Sequence, residues 1–237
     1  MFIHLSPRLR RALQMLCGSS TVADVGSDHG RLAVALLQQG AANRVIASDI
    51  SAPSLEKAKA LARHCGTLDQ MDFRVADGLQ ALVPGEADAI VMAGMGGLVM
   101  RRILQEGEAA ARQASRILLQ PQGNLPELRA FLYQTGYTIE SEGIELDNGR
   151  YYQLILAHSG PPAPIPAQWP AGYFELGPAA YIGGEPLLLP LAKKYLAGHE
   201  KRLARAQRNG FSPPQLTEAI QALRTIIALL EGNHAAS

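Results

Sequence analysis

Short apolar runs and amphipathic stretches take turns along residues 1–160 of the chain. Thr21–Val25, Arg44–Ser48, Asp72–Ala76, Ala89–Ala93 and Arg116–Leu119 read as strands, mostly apolar as expected for strands buried on both faces. Helical stretches lie between them. Arg31–Gln39 is stopped by Gly40, and a helix opened by Ser51 and Pro53 runs to about His64 before Gly66. Two more begin at Leu98 and at about Pro126, the latter ending near Thr135 before Gly136. Thr138–Leu146 and Tyr151–Ala157 flank Asp147-Asn148-Gly149, and Asn-Gly is a strong hairpin signal. This alternation predicts an α/β fold, a Rossmann-like, mostly parallel seven-stranded sheet covered on both faces, whose closing hairpin makes one strand antiparallel. Ser6 and Pro7 open a further helix over residues 6–17, with Leu9, Leu13 and Leu16 on one face.

The pattern breaks where five prolines fall between Gly160 and Pro170, a composition that neither pairs in a sheet nor continues a helix. The expected organisation is a domain at 1–160, a linker at 161–170 and a helical domain at 171–237. In the last, Leu187–Arg208 reads as one helix, and Ser212-Pro-Pro-Gln215 starts another with a Ser cap. Leu216, Ile220, Leu223, Ile227 and Leu230 space that second helix for packing as an antiparallel, coiled-coil-like partner of the first.

Apolar residues make up 47% of the 237, enough for a full core, and the net charge of +1 carries no global nucleic-acid signal. Locally the charge is uneven. Arg8, Arg10 and Arg11 precede any acidic residue, and Lys193, Lys194, Lys201, Arg202, Arg205 and Arg208 face Glu200 alone between Pro190 and Gly210. Such a run is either a solvated helix face or a phosphate-binding patch. Two cysteines, Cys17 and Cys65, suit a reducing compartment and form no metal pattern. The longest apolar run, Ala89–Met100, is shorter than the ~18 residues of a membrane span and is broken by glycines. The start shows no leader pattern. The expectation is a cytoplasmic, monomeric protein without metal or membrane attachment.

Val22-Ala-Asp24-Val-Gly26-Ser-Asp28-His-Gly30 links the first strand to the first sheet helix, where glycines let the backbone approach a ligand at a helix N-terminus. Asp49 ends the second strand, placed to accept ribose hydroxyls, and Asp77-Gly78-Leu79 follows the third, placed to reach an adenine amino group. Carboxylates at Asp24 and Asp28 would crowd a pyrophosphate, but they suit the ammonium and sulfonium of S-adenosylmethionine. The turn therefore favours that methyl donor over a dinucleotide.

In these stretches, and in Leu5-Ser-Pro-Arg8-Leu, Ala76-Asp-Gly-Leu79, Ala93-Gly-Met-Gly-Gly97, Leu119-Gln-Pro121 and Gly149-Arg-Tyr-Tyr152, the chain resembles the bacterial tRNA (adenine-22-N1)-methyltransferases, the TrmK family. It departs from the family pattern at Gly30 and Arg31, where that family carries Ala and an aromatic residue. The resemblance implies a class I methyltransferase, whose sheet ends in an antiparallel hairpin. It also implies S-adenosylmethionine contacts at Asp24, Gly26, Ser27, Asp28, Gly30, Asp49, Ile50, Asp77, Gly78, Leu79, Ala93 and Gly94. Substrate contacts are expected at Arg8, His29, Met95, Gln120 and Tyr151, with tRNA phosphates meeting Lys193, Lys194, Lys201, Arg202 and Arg205. Ala93-Gly-Met-Gly-Gly97 lacks the prolines and aromatic of enzymes that methylate exocyclic amines. Its flexible backbone and free N–H groups leave attack by a ring nitrogen open. Asp28 is the catalytic candidate, against two alternatives: a cap on the next helix, or a partner for the cofactor's ammonium. A small-molecule or protein methyltransferase and a non-catalytic nucleotide-binding module are the competing readings.

Overall fold

The computed structural model describes residues 2–234, so residues 235–237 of the expected helical domain lie outside the described residues. Seven strands form one sheet: β1 (Thr21–Val25), β2 (Arg44–Asp49), β3 (Met71–Val75), β4 (Ala89–Ala93), β5 (Arg116–Gln120), β6 (Tyr137–Asp147) and β7 (Arg150–Ser159). Their order is β3-β2-β1-β4-β5-β7-β6. β7 runs antiparallel to both β5 and β6, and the pairings among β1–β5 are parallel. The order reverses between β1 and β4, and the carboxyl ends of the strands flanking such a switch point are where open α/β sheets bind ligands.

Helices α1 (Pro7–Leu16), α2 (Arg31–Gln38) and α3 (Ala52–Cys65) cover one face of the sheet. Their Leu13, Leu16, Leu32, Leu36 and Leu55 share a buried cluster with Val22, Val45, Val91, Leu118 and Leu154. Alternate strand residues, including Ile46, Ile90, Met92, Ile117 and Ile155, are buried toward the opposite face, as period-two geometry requires. That face is covered by α4 (Gly97–Glu106), α5 (Glu108–Gln113) and α6 (Leu125–Gln134). The third of these helices, α3, is capped as its sequence implies: Ser51 accepts from the Ser54 N–H at 3.3 Å, and Gly66 closes the other end at φ 72°. α6 is fastened to the closing hairpin by a buried ion pair, Arg129 Nε to Glu142 Oε1 at 2.6 Å, with Gln153 accepting from Arg129 at 2.8 Å.

The chain divides into two compact units, one ending at Ala163 and one beginning at Pro164. The second unit holds α7 (Pro178–Ile182), α8 (Leu188–Arg208) and α9 (Pro214–His234). Ion pairs Lys193–Glu231 at 2.7 Å and Glu200–Arg224 at 2.9 Å run in opposite chain directions, so α8 and α9 are antiparallel. The α9 seam differs from the expected one. Ile226 is buried where Ile227 was expected, beside Ile220, Leu223 and Leu230. α9 also starts at Pro214, so Ser212 stands outside it and the Pro213 carbonyl accepts the first helical bonds. Part of the expected linker belongs to the second unit: Trp169 is buried and donates to the Tyr173 carbonyl at 3.0 Å. The short α7 was not expected, since a five-residue helix carries too few turns for a periodic signal. Among the described residues no helix is long and apolar enough to cross a membrane, and no group of His, Cys, Asp or Glu is arranged to hold a metal ion.

Candidate active site

A cavity of about 630 Å³ opens at the carboxyl ends of β1, β2, β3 and β4. The turn after β1 shapes its floor. Gly26 and Ser27 donate backbone N–H bonds to the Ser48 carbonyl of β2 at 2.8 and 2.9 Å, and the chain then doubles back to α2. Asp28 adopts φ 49°, a left-handed conformation that Asp tolerates better than most residues. Its N–H donates to Asp49 Oδ2 at 3.0 Å, and the Ser51 N–H donates to Asp49 Oδ1 at 2.8 Å. Two backbone donors thus lock the Asp49 carboxylate at the rim, and its remaining lone pairs are available to hydroxyl groups of a ligand.

Asp24 lies deeper. Burial pushes its carboxyl up to about 6, an effect partly offset by bonds from the Ser27 hydroxyl, at 2.9 Å, and the Ala33 backbone, and reinforced by the charge of Asp49. A cationic ligand group beside Asp24 would restore its charged form. Asp77, just beyond β3, is held by both terminal nitrogens of Arg102 at 3.1 and 3.2 Å, and Arg102 also pairs with Glu106. A carboxylate has about four acceptor sites, so Asp77 keeps capacity for a further donor. The donor set therefore fits S-adenosylmethionine: an acidic group for its ammonium, a fixed carboxylate for its ribose, and Asp77 with the exposed Ile50 and Val99 around an adenine.

Asp24, Gly26, Ser27, Asp28, Asp49, Ile50, Asp77, Gly78, Ala93 and Gly94 line the cavity together with Arg8, His29 and Met95. Gly30 and Leu79 do not. Gly30, at φ 70°, lies where a Cβ would come within 2.8 Å of Ala58 Cβ, so it serves the packing of α2 on α3. Leu79 is a core residue packed over Gly107. The N-cap of α2 is Gly30, two residues past Asp28, so Asp28 does not cap that helix; its side chain is 71% exposed and sits 3.6 Å from His29 Nε2. His29 also contacts Lys57 Nζ at 3.3 Å.

Other expectations need correction. The Ala93–Gly97 loop is not a loose strand of free donors. Gly94 donates to Gln120 O at 3.1 Å, Gly97 donates to Gly123 O at 2.9 Å, and Met95 O accepts from Gln122 at 2.8 Å. Backbone pairing thus laces this loop to the one after β5. Gln120 is fully buried and cannot touch an RNA; its Oε1 accepts from Arg8 Nη1 at 2.9 Å. Tyr151 is one residue out of phase. Tyr152, on the face of β7 that carries Leu154, lies under the Arg8 guanidinium, 5.0 Å from it, whereas Tyr151 shares the opposite face with Gln153. Lys193, Lys194, Lys201, Arg202 and Arg205 are exposed on α8, in the second unit, with Lys193 bound to Glu231 and Arg202 bonded to His199. Sequence reasoning missed Arg102, Gln122 and Tyr152. The Arg102–Asp77 pair spans 25 positions and leaves no local spacing to read.

The sheet order and the acidic strand ends define a Rossmann-like class I methyltransferase. A family profile described as a methyltransferase domain matches residues 5–155. The chain belongs to that family. The tRNA (adenine(22)-N(1))-methyltransferase of Bacillus subtilis (strain 168) is 32% identical over 67% of this chain. The chain spans 66% of that relative's length, just under two thirds. The B. subtilis TrmK crystal structure superposes with a TM-score of 0.76 at 25% identity, covering 97% of this chain and 98% of the other. A Streptococcus pneumoniae protein crystallised with S-adenosyl-L-methionine gives a TM-score of 0.82 at 26% identity, covering 94% of this chain and all of its own.

Proposed function

We propose that this protein is an S-adenosylmethionine-dependent tRNA methyltransferase acting at N1 of adenine-22. The observation that carries the reading is the convergence of Asp24, Asp49 and Asp77, from three successive strands, on one cavity whose rim holds Asp28 and Arg8. The likeness to tRNA (adenine(22)-N(1))-methyltransferase supports the choice of substrate. Asp24 would hold the cofactor's ammonium, Asp49 its ribose and Asp77 its adenine amino group. When bound, the cofactor supplies an electrophilic methyl group.

Adenine N1 carries a lone pair in the Watson–Crick plane, so no base is needed to make the nucleophile. The chain's task is alignment and exclusion of water. The target base has to leave its stack to enter the cavity. Methylation at N1 leaves positive charge on the ring, shared with the exocyclic N6. The exposed Asp28 carboxylate at the rim is placed to stabilise that charge and to accept an N6 hydrogen bond. Phosphates of the RNA body are held outside the cavity, with Lys194, Lys201 and Arg205 on α8 as candidates. The protein acts in the cytoplasm as a monomer.

Nucleoside mass spectrometry of tRNA incubated with protein and methyl donor tests the reading. N1-methyladenosine is the expected product. A different methylated nucleoside, or none, overturns it.

A further inference from the structure

We propose that Arg8 anchors a phosphate of the nucleotide entering the cavity, and that Gln120 and Tyr152 are the positioning residues that hold it there. This rests on the tRNA-methyltransferase reading and adds the place where the substrate's charge is caught.

Arg8, on α1, lines the cavity and is half-buried. Its guanidinium is held from two directions. Nη1 donates to Gln120 Oε1 at 2.9 Å, and its carbon lies 5.0 Å from the centroid of the Tyr152 ring. Gln120 sits at the end of β5 with its own amide donating to the Pro121 carbonyl at 3.2 Å, which turns its oxygen toward Arg8. Both partners are uncharged. The cavity's other arginines are spent differently: Arg102 on the carboxylates of Asp77 and Glu106, Arg31 on the His4 carbonyl at 2.7 Å. Among the described residues no carboxylate neutralises Arg8, although four aspartates line the same cavity. A guanidinium has five N–H donors in a fork that matches phosphate, and the Gln120 bond uses one.

Position separates this cation from the cofactor half of the site. The cofactor carboxylates come from β1, β2 and the end of β3, whereas Gln120 and Tyr152 belong to β5 and β7, across the switch point. Arg150 lies over the same Tyr152 ring at 5.6 Å, extending the positive surface along the hairpin. That is the layout of a backbone track leading into a base pocket rather than of a contact to a small ligand.

The test is tRNA binding across a range of salt, with cofactor calorimetry and melting curves, on Arg8→Ala, Gln120→Glu, Tyr152→Leu and Tyr152→Phe. One lost phosphate contact should lower the slope of log affinity against log salt by about 0.7–0.9 in Arg8→Ala. Gln120→Glu should do nearly the same with Arg8 still present, because it sets a carboxylate against the guanidinium. Tyr152→Leu should weaken tRNA binding by about two- to five-fold through the lost cation–π contact, and Tyr152→Phe should bind as wild type does. Cofactor affinity should hold in all four. If a buried Gln120 variant melts early, Arg8→Ala and the Tyr152 pair decide. An unchanged salt slope in Arg8→Ala overturns the proposal, and so does a selective loss of cofactor affinity, which would assign Arg8 to the cofactor's carboxylate. A wild-type protein that fails to bind tRNA at all overturns the parent reading with it.

Discussion

Asp24 is the residue with most to gain from a cationic neighbour. Its folded-state carboxyl titrates near 6 against an ordinary 3.8, so between those values the folded protein binds the extra proton. Stability from this group therefore falls as pH rises through that window, by on the order of 3 kcal/mol in the ligand-free protein. A bound ammonium favours the charged form and expels the proton. Cofactor affinity should then drop about ten-fold per unit as pH falls below 6, and Asp24→Asn should flatten the dependence. Calorimetry at pH 5, 6 and 7 reads both, and affinity that ignores pH in the wild type would contradict the assignment. Asp28 tests the chemistry. Asn tolerates the same left-handed backbone as Asp, so Asp28→Asn should keep the fold and near-normal cofactor affinity. Its single-turnover rate on tRNA should fall roughly 10²-fold, the scale of one positioned charged group. Normal single-turnover rates at saturating cofactor would remove Asp28 from the mechanism.

At the scale of elements, the lacing of the two loops beyond β4 and β5 depends on Gly97. A Cβ there would lie 2.5 Å from the Asn124 carbonyl oxygen and 2.8 Å from that of Gly123, both backbone atoms with little room to move. Gly97→Ala should cost about 1–3 kcal/mol in urea denaturation, the usual range for overpacking, and should loosen Met95 and Gln122 at the cavity wall. A variant as stable as wild type would show that the loop is not under this constraint. The same region shows what sequence could and could not convey. Strand positions, the switch of period from two to 3.6 and the Asn-Gly hairpin were legible because they are local. So was the acidic set Asp24, Asp49 and Asp77, because each stands at the end of a strand. The loop's backbone pairing was not, since glycines license either a loose or a laced loop and the partner lies some 25 residues away. The place of Tyr152 rather than Tyr151 beside Arg8 is hidden for a related reason: adjacent aromatics point to opposite faces, and only the register of β7 against its neighbours says which. In α9 Ile226 is buried and Ile227 half-buried, because a helix packed in a compact unit buries a stripe more than about 100° wide and both residues lie on it, where a 4-3-4-3 seam admits one.

Each compact unit holds buried apolar residues: the sheet core in one, Trp169, Leu176, Leu191, Leu223 and Ile226 in the other. A fragment of residues 1–163 should fold and bind cofactor with affinity close to that of the full chain. Without the exposed cations of α8 it should bind tRNA at least about ten-fold more weakly and with a shallower salt slope, as loss of phosphate contacts requires. Equal tRNA affinity in gel-shift titration would reduce the α8 charges to a solvated helix face. The proposed product carries a methyl group on N1 of adenine-22. N1 lies on the Watson–Crick edge, so its methylation blocks base pairing and halts a reverse transcriptase. Primer extension on tRNA treated with protein and methyl donor should therefore stop one nucleotide 3′ of adenine-22, the last base copied before the block, should read through without donor, and should read through when adenine-22 is changed to guanine. Read-through of the treated, unaltered tRNA, or a stop at another position, would contradict the account.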